Sequence, residues 1–558
     1  MRFGKLLHIT FAVLLAVFMA GHLLMNNKKF QHKTAQKIVK VVKSTLDADV
    51  TAGSAEFVYP FGIAIDNLTV YDLKKDTLVH VGSAVIRLRP LQLIWNKVNI
   101  TSIRLLSPSV HLWRDNPQAD PNYSFLISGS GNGGGTSKLL KANSILIRNG
   151  SIRYDVNDAP QTDTVFNRNH IAINSLNANL SLKAMSQDSL AFIIRKLSLS
   201  EHSDFRMTSA KGALTVGKAF AHLTKLQFTT PNSDFNITEL FAQAGLVERP
   251  NGLPDMDAHF SASVTGSDFK WFFPQLTCMN DRIDMSLDCS GYDNSLSIGS
   301  LGLQVQGGIF NMNGSGNILT GQEKLIKGCR DINIHGNFSE ELASWLSDQL
   351  CGFNYTLPQQ LYGLGNGSFN IGFETQNGKI FSDVNLSCQA GTIIGSVKTV
   401  DGSYLATLQG NELMLNTITG NNDLGMTDFT ANATITGQQN KYSGVFSGNV
   451  NSIAYKQYTY NDIAINGSFT PDQVISQLDF SDRNGTVDLD AALNLGDNRS
   501  YSLRLLADSL NLSAYNLTER DSMIVSARLT ARINGNDIDQ MNGNVSLDSL
   551  SYSDSQGS

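Results

Sequence analysis

The chain has 558 residues, 41% of them hydrophobic but only 16% charged, with 47 glycines and a net charge of −6. That length exceeds one ordinary domain, so two to four domains or one extended repeat-like body are expected. The acidic balance excludes a nucleic-acid partner, since phosphate binding needs clustered Lys and Arg, and a glycine-rich, charge-poor composition favours turns and strands over helices.

The charge is uneven along the chain. Arg2, Lys5, Lys28, Lys29, Lys33, Lys37, Lys40 and Lys43 fall in residues 1–46, which hold no acid. Removing those eight leaves 35 basic against 49 acidic residues, a net −14. A basic head on an acidic body suggests that the head sits at an anionic membrane surface. Leu6–Met25 is a run of twenty residues without Lys, Arg, Asp or Glu, and at ~1.5 Å per residue it spans a bilayer core. Leu6, Leu7, Ile9, Phe11, Leu14, Leu15, Phe18, Leu23 and Leu24 are its apolar bulk. A cleaved signal peptide needs small residues before its cut, and Phe18 spoils the site ending at Ala20, so residues 1–27 read as a cytoplasmic tip and an uncleaved anchor. His8 and His22 lie near headgroup depth. In residues 28–46, Phe30, Ile38, Val41, Val42 and Leu46 recur near helical spacing among lysines. That pattern suits a helix lying on the membrane surface or one packed on the first strands.

Short strands broken by Gly, Asn, Asp and Ser follow Asp49. The run SGSGNGGGTS (128–137) reads as a flexible loop, separating a module at 28–127 from a longer β body at 138–558. It contains the string G-x-G-x-x-G, but no strand precedes it and no phosphate-binding helix follows, so no dinucleotide site is expected. SILIRNGSIRYDV (144–156) reads as a hairpin turning at Asn149-Gly150. GSDFKWFFPQL (266–276) resembles GNFSEELASWLSDQL (336–350), with Trp271 and Trp345 74 residues apart, and both tryptophans are expected to plug an apolar sheet end. In RDINIHGNF (330–338), Ile332, Ile334 and Phe338 share one face. Within SEELASWLSDQL (339–350), a cap at Ser339 and a stripe of Leu342, Trp345, Leu346 and Leu350 predict a helix. GSFNIGF (367–373) alternates again, placing Phe369, Ile371 and Phe373 together. In GTVDLDAALNLGD (485–497), Val487, Leu489, Leu493 and Leu495 take one side, and Asp488 and Asp490 the solvated other.

The search for chemistry ends without a catalytic constellation. No G-x-S-x-G, H-E-x-x-H, Walker loop or C-x-x-C occurs, and the ten histidines have no metal-ligand spacing. Asp488 and Asp490 stand at carboxylate-pair spacing, but alternation alone puts acids on an outer face. Of five cysteines, Cys278 and Cys289 are candidates for a hairpin bridge, the alternative being small buried thiols. No enzyme activity, cofactor or metal is expected. The apolar faces either close on each other as β-sandwiches, giving a membrane-tethered scaffold or adhesin, or stay open as a gutter. The absence of regular linkers after residue 137 favours the open form, with about 40 strands at ~12 residues each. The fold class expected is therefore mainly β: a transmembrane helix followed by an elongated, curled sheet groove with a few short helices. Ile332, Ile334, Phe338, Phe369, Ile371, Phe373, Val487, Leu489, Leu493 and Leu495 are its candidate lining. An acyl chain gains ~0.8 kcal/mol per buried CH₂, so such a lining holds lipid without a specific pocket.

The anchor followed by KIVKVVKSTLDADVTAGSAEF (37–57), IAIDNLTVYDLKKDTLVHVGSAVIRLRPLQLI (63–94), IRLLSPSVHLWRD (103–115) and NYSFLI (122–127) resembles the AsmA-like superfamily, and within it the TamB-type translocation and assembly modules. The likeness is specific over about residues 1–160, and farther on it is one of style, as in LADSLNLSAYNL (506–517) and NGNVSLDSLSYSD (542–554). It implies a single-pass inner-membrane protein of a Gram-negative envelope, a chorein-like module at 28–127, and a long periplasmic groove. Its implied partners are the phospholipid bilayer with bound lipid and an outer-membrane assembly barrel. Proteins of that family are usually longer, and the present chain stops in mid-pattern at SYSDSQGS (551–558).

Overall fold

The computed structural model describes residues 48–58, 62–88, 100–125, 142–162, 165–185, 189–217, 220–243, 256–292, 295–320, 326–438, 441–496, 499–536, 541–555 and 557. The segments read as an anchor (6–25), an amphipathic helix (28–46) and a glycine loop (128–137) lie outside these residues. Among the described residues, no helix is long and apolar enough to cross a membrane. The fold is mainly β, an unclosed sheet of 28 described strands with few helices. Beyond the first two, the strands run from 10 to 16 residues, which is why they are fewer than the 40 expected. The described residues form two compact units, unit 1 within 48–282 and unit 2 within 283–557.

In unit 1, β1 (Val50–Thr51) and β2 (Ser54–Val58) both pair with β3 (Gly62–Tyr71), which leads antiparallel into β4 (Thr77–Leu88) and β5 (Ile100–Arg114). β5 pairs parallel with β6 (Ala142–Val156), setting Ile103 beside Ile145 and Val110 beside Ile152. Antiparallel succession then continues through β7 (His170–Met185), β8 (Ser189–Glu201), β9 (Arg206–Gly217), β10 (Phe220–Thr229), β11 (Asp234–Gln243) and β12 (Met256–Thr265). The hairpin expected at Asn149-Gly150 does not form. Asn149 takes a left-handed conformation (φ 51), but inside the continuous strand β6, where the register slips against β7. The conformation that suits Asn in a tight turn also suits a β-bulge, and the bulge prevails here. Ser175 and Lys225 also sit at positive φ, where the register of β7 slips against β8 and that of β10 against β9, so bulges recur in the unit and bend its strands. Ala48, Val50 and Val70 form a small core cluster with Leu68, Val79 and Phe125 packed against it.

Unit 2 is a plain antiparallel succession. It runs β13 (Arg282–Tyr292), β14 (Ser295–Val305), β15 (Phe310–Leu319), β16 (Gly328–Phe338), β17 (Gly367–Gln376), β18 (Lys379–Cys388), β19 (Gly391–Val400) and β20 (Ser403–Met414). It continues as β21 (Leu424–Gln438), β22 (Lys441–Tyr455), β23 (Tyr458–Thr470), β24 (Gln473–Asp482), β25 (Gly485–Asn494), β26 (Ser500–Asn511), β27 (Ile524–Asn534) and β28 (Asn542–Ser553). Two-residue hairpins at Asn377-Gly378 (φ 53 and 76) and Asp401-Gly402 (φ 48 and 81) supply the paired left-handed residues of a type I′ turn. Helix α1 is shorter than the sequence suggests, Leu342–Gln349, and Ser339 is not its cap. The Leu342 amide instead bonds the Ser339 carbonyl in a preceding turn (3.0 Å), and the buried Ser339 hydroxyl finds no partner among the described residues. Helix α2 (Leu415–Thr419) ends on Gly420 at φ 72, a left-handed stop. Cys289, Cys329 and Cys388 are in no disulfide, Cys289 and Cys329 being buried, so no Cys278–Cys289 bridge exists.

Candidate functional site

Strand pairing in unit 2 turns separate alternating stretches into one surface. Because side chains alternate with period two, directly paired residues share a face. From Ile334, pairing leads to Ile371, Val384, Gly395 and Leu408, on to Ala431, Gly448, Ile465 and Leu478, and then to Leu489, Leu505, Leu529 and Leu547. In the other direction it leads through Gly314 and Leu301 to Leu287. Every position of this row, from β13 to β28, is Leu, Ile, Val, Ala or Gly.

The candidate residues fall on this face. Ile332 pairs with Phe373, Ile334 with Ile371, and Phe338 with Gly367, while Phe369 faces Gly336 and Leu386. Val487, Leu489 and Leu493 pair with Phe480, Leu478 and Val474. Leu495 lies just past β25, its amide bonded to the Asp472 carbonyl (2.7 Å) and its side chain exposed. The face is open for much of its extent. Phe338, Leu413 and Phe480 are buried, but Val384, Phe373, Leu408 and Leu547 keep 36–52% of their surface in water. On the outer side, Asp490 faces Arg504 (3.8 Å), and Asp488 pairs with Asp479.

Glycine and phenylalanine shape the relief of this face, a feature the sequence reading missed. Gly336 faces Phe369 while Phe338 faces Gly367; likewise Gly444 faces Phe469 while Phe446 faces Gly467. Each clasp joins two G-x-F tripeptides running antiparallel, so the signal was present as GNF (336–338), GSF (367–369), GVF (444–446) and GSF (467–469). Each ring lies over a residue with no side chain, which keeps the surface low.

Aromatic side chains close the ends of the apolar faces. In unit 1 the short 3-10 turns Gly266–Phe269 and Pro274–Cys278 follow β12. Phe269 packs on Phe235 (5.7 Å between ring centres), and Phe272 packs on Phe166 (4.7 Å) and Phe205 (4.9 Å). The plug expected at Trp271 is thus made by its phenylalanine neighbours, while the Trp271 ring lies under the Lys270 ammonium (4.5 Å). Trp345, in α1, is half-buried. In unit 2 the buried Tyr515 packs on Tyr458, Tyr460 and Phe480 and donates a hydrogen bond to Asp482 Oδ1 (2.6 Å). Tyr458 also donates to that carboxylate.

Two carboxylates, the buried Glu201 and the half-buried Asp268, are occupied in closing strand ends. Glu201 accepts the amides of Ala172 (3.1 Å) and Ser203 (2.7 Å). Asp268 accepts from Thr230, the Asn232 amide (2.9 Å) and Ser233 (2.9 Å). Burial pushes both carboxyls up, but these hydrogen bonds outweigh it and hold them below the ordinary range. Among the described residues, no group of three or more His, Cys, Asp or Glu is placed to hold a metal ion. Comparison with protein-family models and with curated proteins finds no match.

Proposed function

We propose that this chain is an AsmA-like, TamB-type envelope protein that conducts phospholipid along the apolar face of unit 2 and supports outer-membrane biogenesis. In this reading Leu6–Met25 anchors it in the inner membrane, and the strands lie in the periplasm. The observation that carries the reading is the unbroken row from Leu287 to Leu547, lined at every strand by a hydrocarbon side chain or glycine. A closed sandwich would bury such a row in a second layer; here Val384, Leu408 and Leu547 remain partly in water. An acyl chain laid on the row gains ~0.8 kcal/mol per methylene, while its headgroup stays hydrated.

Photo-crosslinking in living cells tests this on the full chain. A benzophenone side chain at Ile334, Leu408 or Leu489 should capture phospholipid, and one at the outward positions Asn333 or Asp488 should not. Capture of protein alone at the inward positions would instead support a membrane-tethered scaffold. Equal lipid labelling on both faces would defeat the proposal.

A further inference from the structure

Strands β8, β9 and β10 of unit 1 bring several cations together. At the bulge between the pairs Ile194–Gly212 and Leu197–Ala210, Arg195 and Lys196 stand together opposite Lys211. On the next strand Lys225 occupies another bulge, at φ 50, between the pairs Ala213–Thr224 and Lys211–Gln227. Arg195, Lys211 and Lys225 line one concavity of about 610 Å³, together with Gln227 and Asn236. All three cations are exposed, and among the described residues none makes an ion pair. Glu239, opposite Thr224, is held by His222 (2.8 Å). Like charges on facing strands repel, and a bulge re-aims side chains that strict alternation would separate. A protein of net negative charge that gathers three cations around a hollow of ligand size has built the complement of a small anion.

We propose that this hollow is a phosphate-recognising site, taking a phosphodiester headgroup or free phosphate through Arg195, Lys211 and Lys225. Arginine supplies paired donors to phosphate oxygens, and the lysines supply point charge. The site lies in unit 1 and does not depend on lipid capture by unit 2.

Isothermal titration of the full chain in a non-ionic detergent provides the test, with inorganic phosphate and water-soluble glycerophosphoglycerol as probes. The variant R195Q/K211Q/K225Q should weaken binding at least tenfold, and R195K/K211R/K225R should retain it; added salt should weaken the native interaction. Loss for both probes assigns the site to phosphate from either source. Loss for glycerophosphoglycerol alone assigns it to a headgroup, and loss for phosphate alone to the free ion. Should the triple variant not fold, K225Q should give a loss of about threefold. Binding by the native chain that no variant alters, or no binding of either probe, overturns the proposal.

Discussion

Phe369 lies over Gly336 on the neighbouring strand, so that a methyl group on Gly336 would stand 2.8 Å from the ring's Cζ. The same methyl would also collide with the Asn311 carbonyl oxygen. Gly336→Ala is therefore expected to lose about 1–3 kcal/mol, the usual effect of overpacking. At Gly314, where the nearest atom to such a methyl is 3.5 Å away, the same change should be close to neutral. Urea midpoints of the two variants check the contrast, and equal midpoints would show that the clasp does not constrain the sheet.

Tyr515 combines packing with a charged hydrogen bond, and two variants separate them. Tyr515→Ala should cost about 3–5 kcal/mol, because a buried ring is lost from an aromatic cluster. Tyr515→Phe keeps the ring and should lose about 1.5–3 kcal/mol, the range for a bond to a charged group. Burial pushes the Asp482 carboxyl up, but the bonds from Tyr458, Tyr515 and the Asn484 amide hold it below its ordinary value. This contribution is therefore present above about pH 3.9 and lost as pH falls through the lowered value. Thermal melts from pH 7 down to pH 2 should show the native chain and Tyr515→Phe converging.

The inward and outward faces of unit 2 were legible because alternation needs only local sequence. Ile332, Ile334, Phe369, Ile371 and Val487 fall on one face of the sheet for that reason. The joining of those stretches into one row was not legible, since register depends on hairpins that bring distant residues side by side. Asn149-Gly150 misled because one backbone conformation serves both a turn and a bulge, and only the partner strands decide between them. Ser339 misled similarly: a hydroxyl before an acidic, apolar stretch is a fair cap signal, yet a turn intervenes before α1. The parallel β5–β6 pair followed from no pattern in either strand. The aromatic cap around Tyr515 needed residues from three separate segments.

Asp479 and Asp488 face each other on paired strands of the outer surface. The hydrogen bond between them, then slight burial and mutual repulsion, raises the Asp488 carboxyl above its ordinary value. This sign is the reverse of the usual carboxylate. Just above about pH 3.9 the folded chain retains a proton that the unfolded chain has released, so the pair loses stability as pH rises through the raised value. Asp479→Asn should raise the urea midpoint at pH 7 and leave it unchanged at pH 3. A lowered midpoint at pH 7 would mean that the native pair gains from some other charge.

At the end of β6, Asp155 gathers His170 Nδ1 (2.9 Å), Arg153 Nε (2.6 Å) and His111 Nε2 (3.0 Å). The other nitrogen of His170 meets the Ala159 carbonyl (3.0 Å). Both partners of His170 only accept, so satisfying both requires the imidazolium. The bond to Asp155 accordingly raises the His170 pKa, outweighing burial. Burial pushes Asp155 up, but its bonds from His170, Arg153 and His111 hold it below the ordinary range. The histidine's contribution is complete below about pH 6.5 and lost as pH rises through the raised value; the carboxylate's is complete above about pH 3.9 and lost as pH falls through the lowered one. Hydrogen-exchange protection of β6 and β7 should therefore be greatest between about pH 4 and 6.5, once corrected for intrinsic exchange. His170→Asn should lower the protection free energy by about 1–3 kcal/mol near pH 6 and abolish its fall at higher pH. A variant that keeps the native fall would show that another group titrates there.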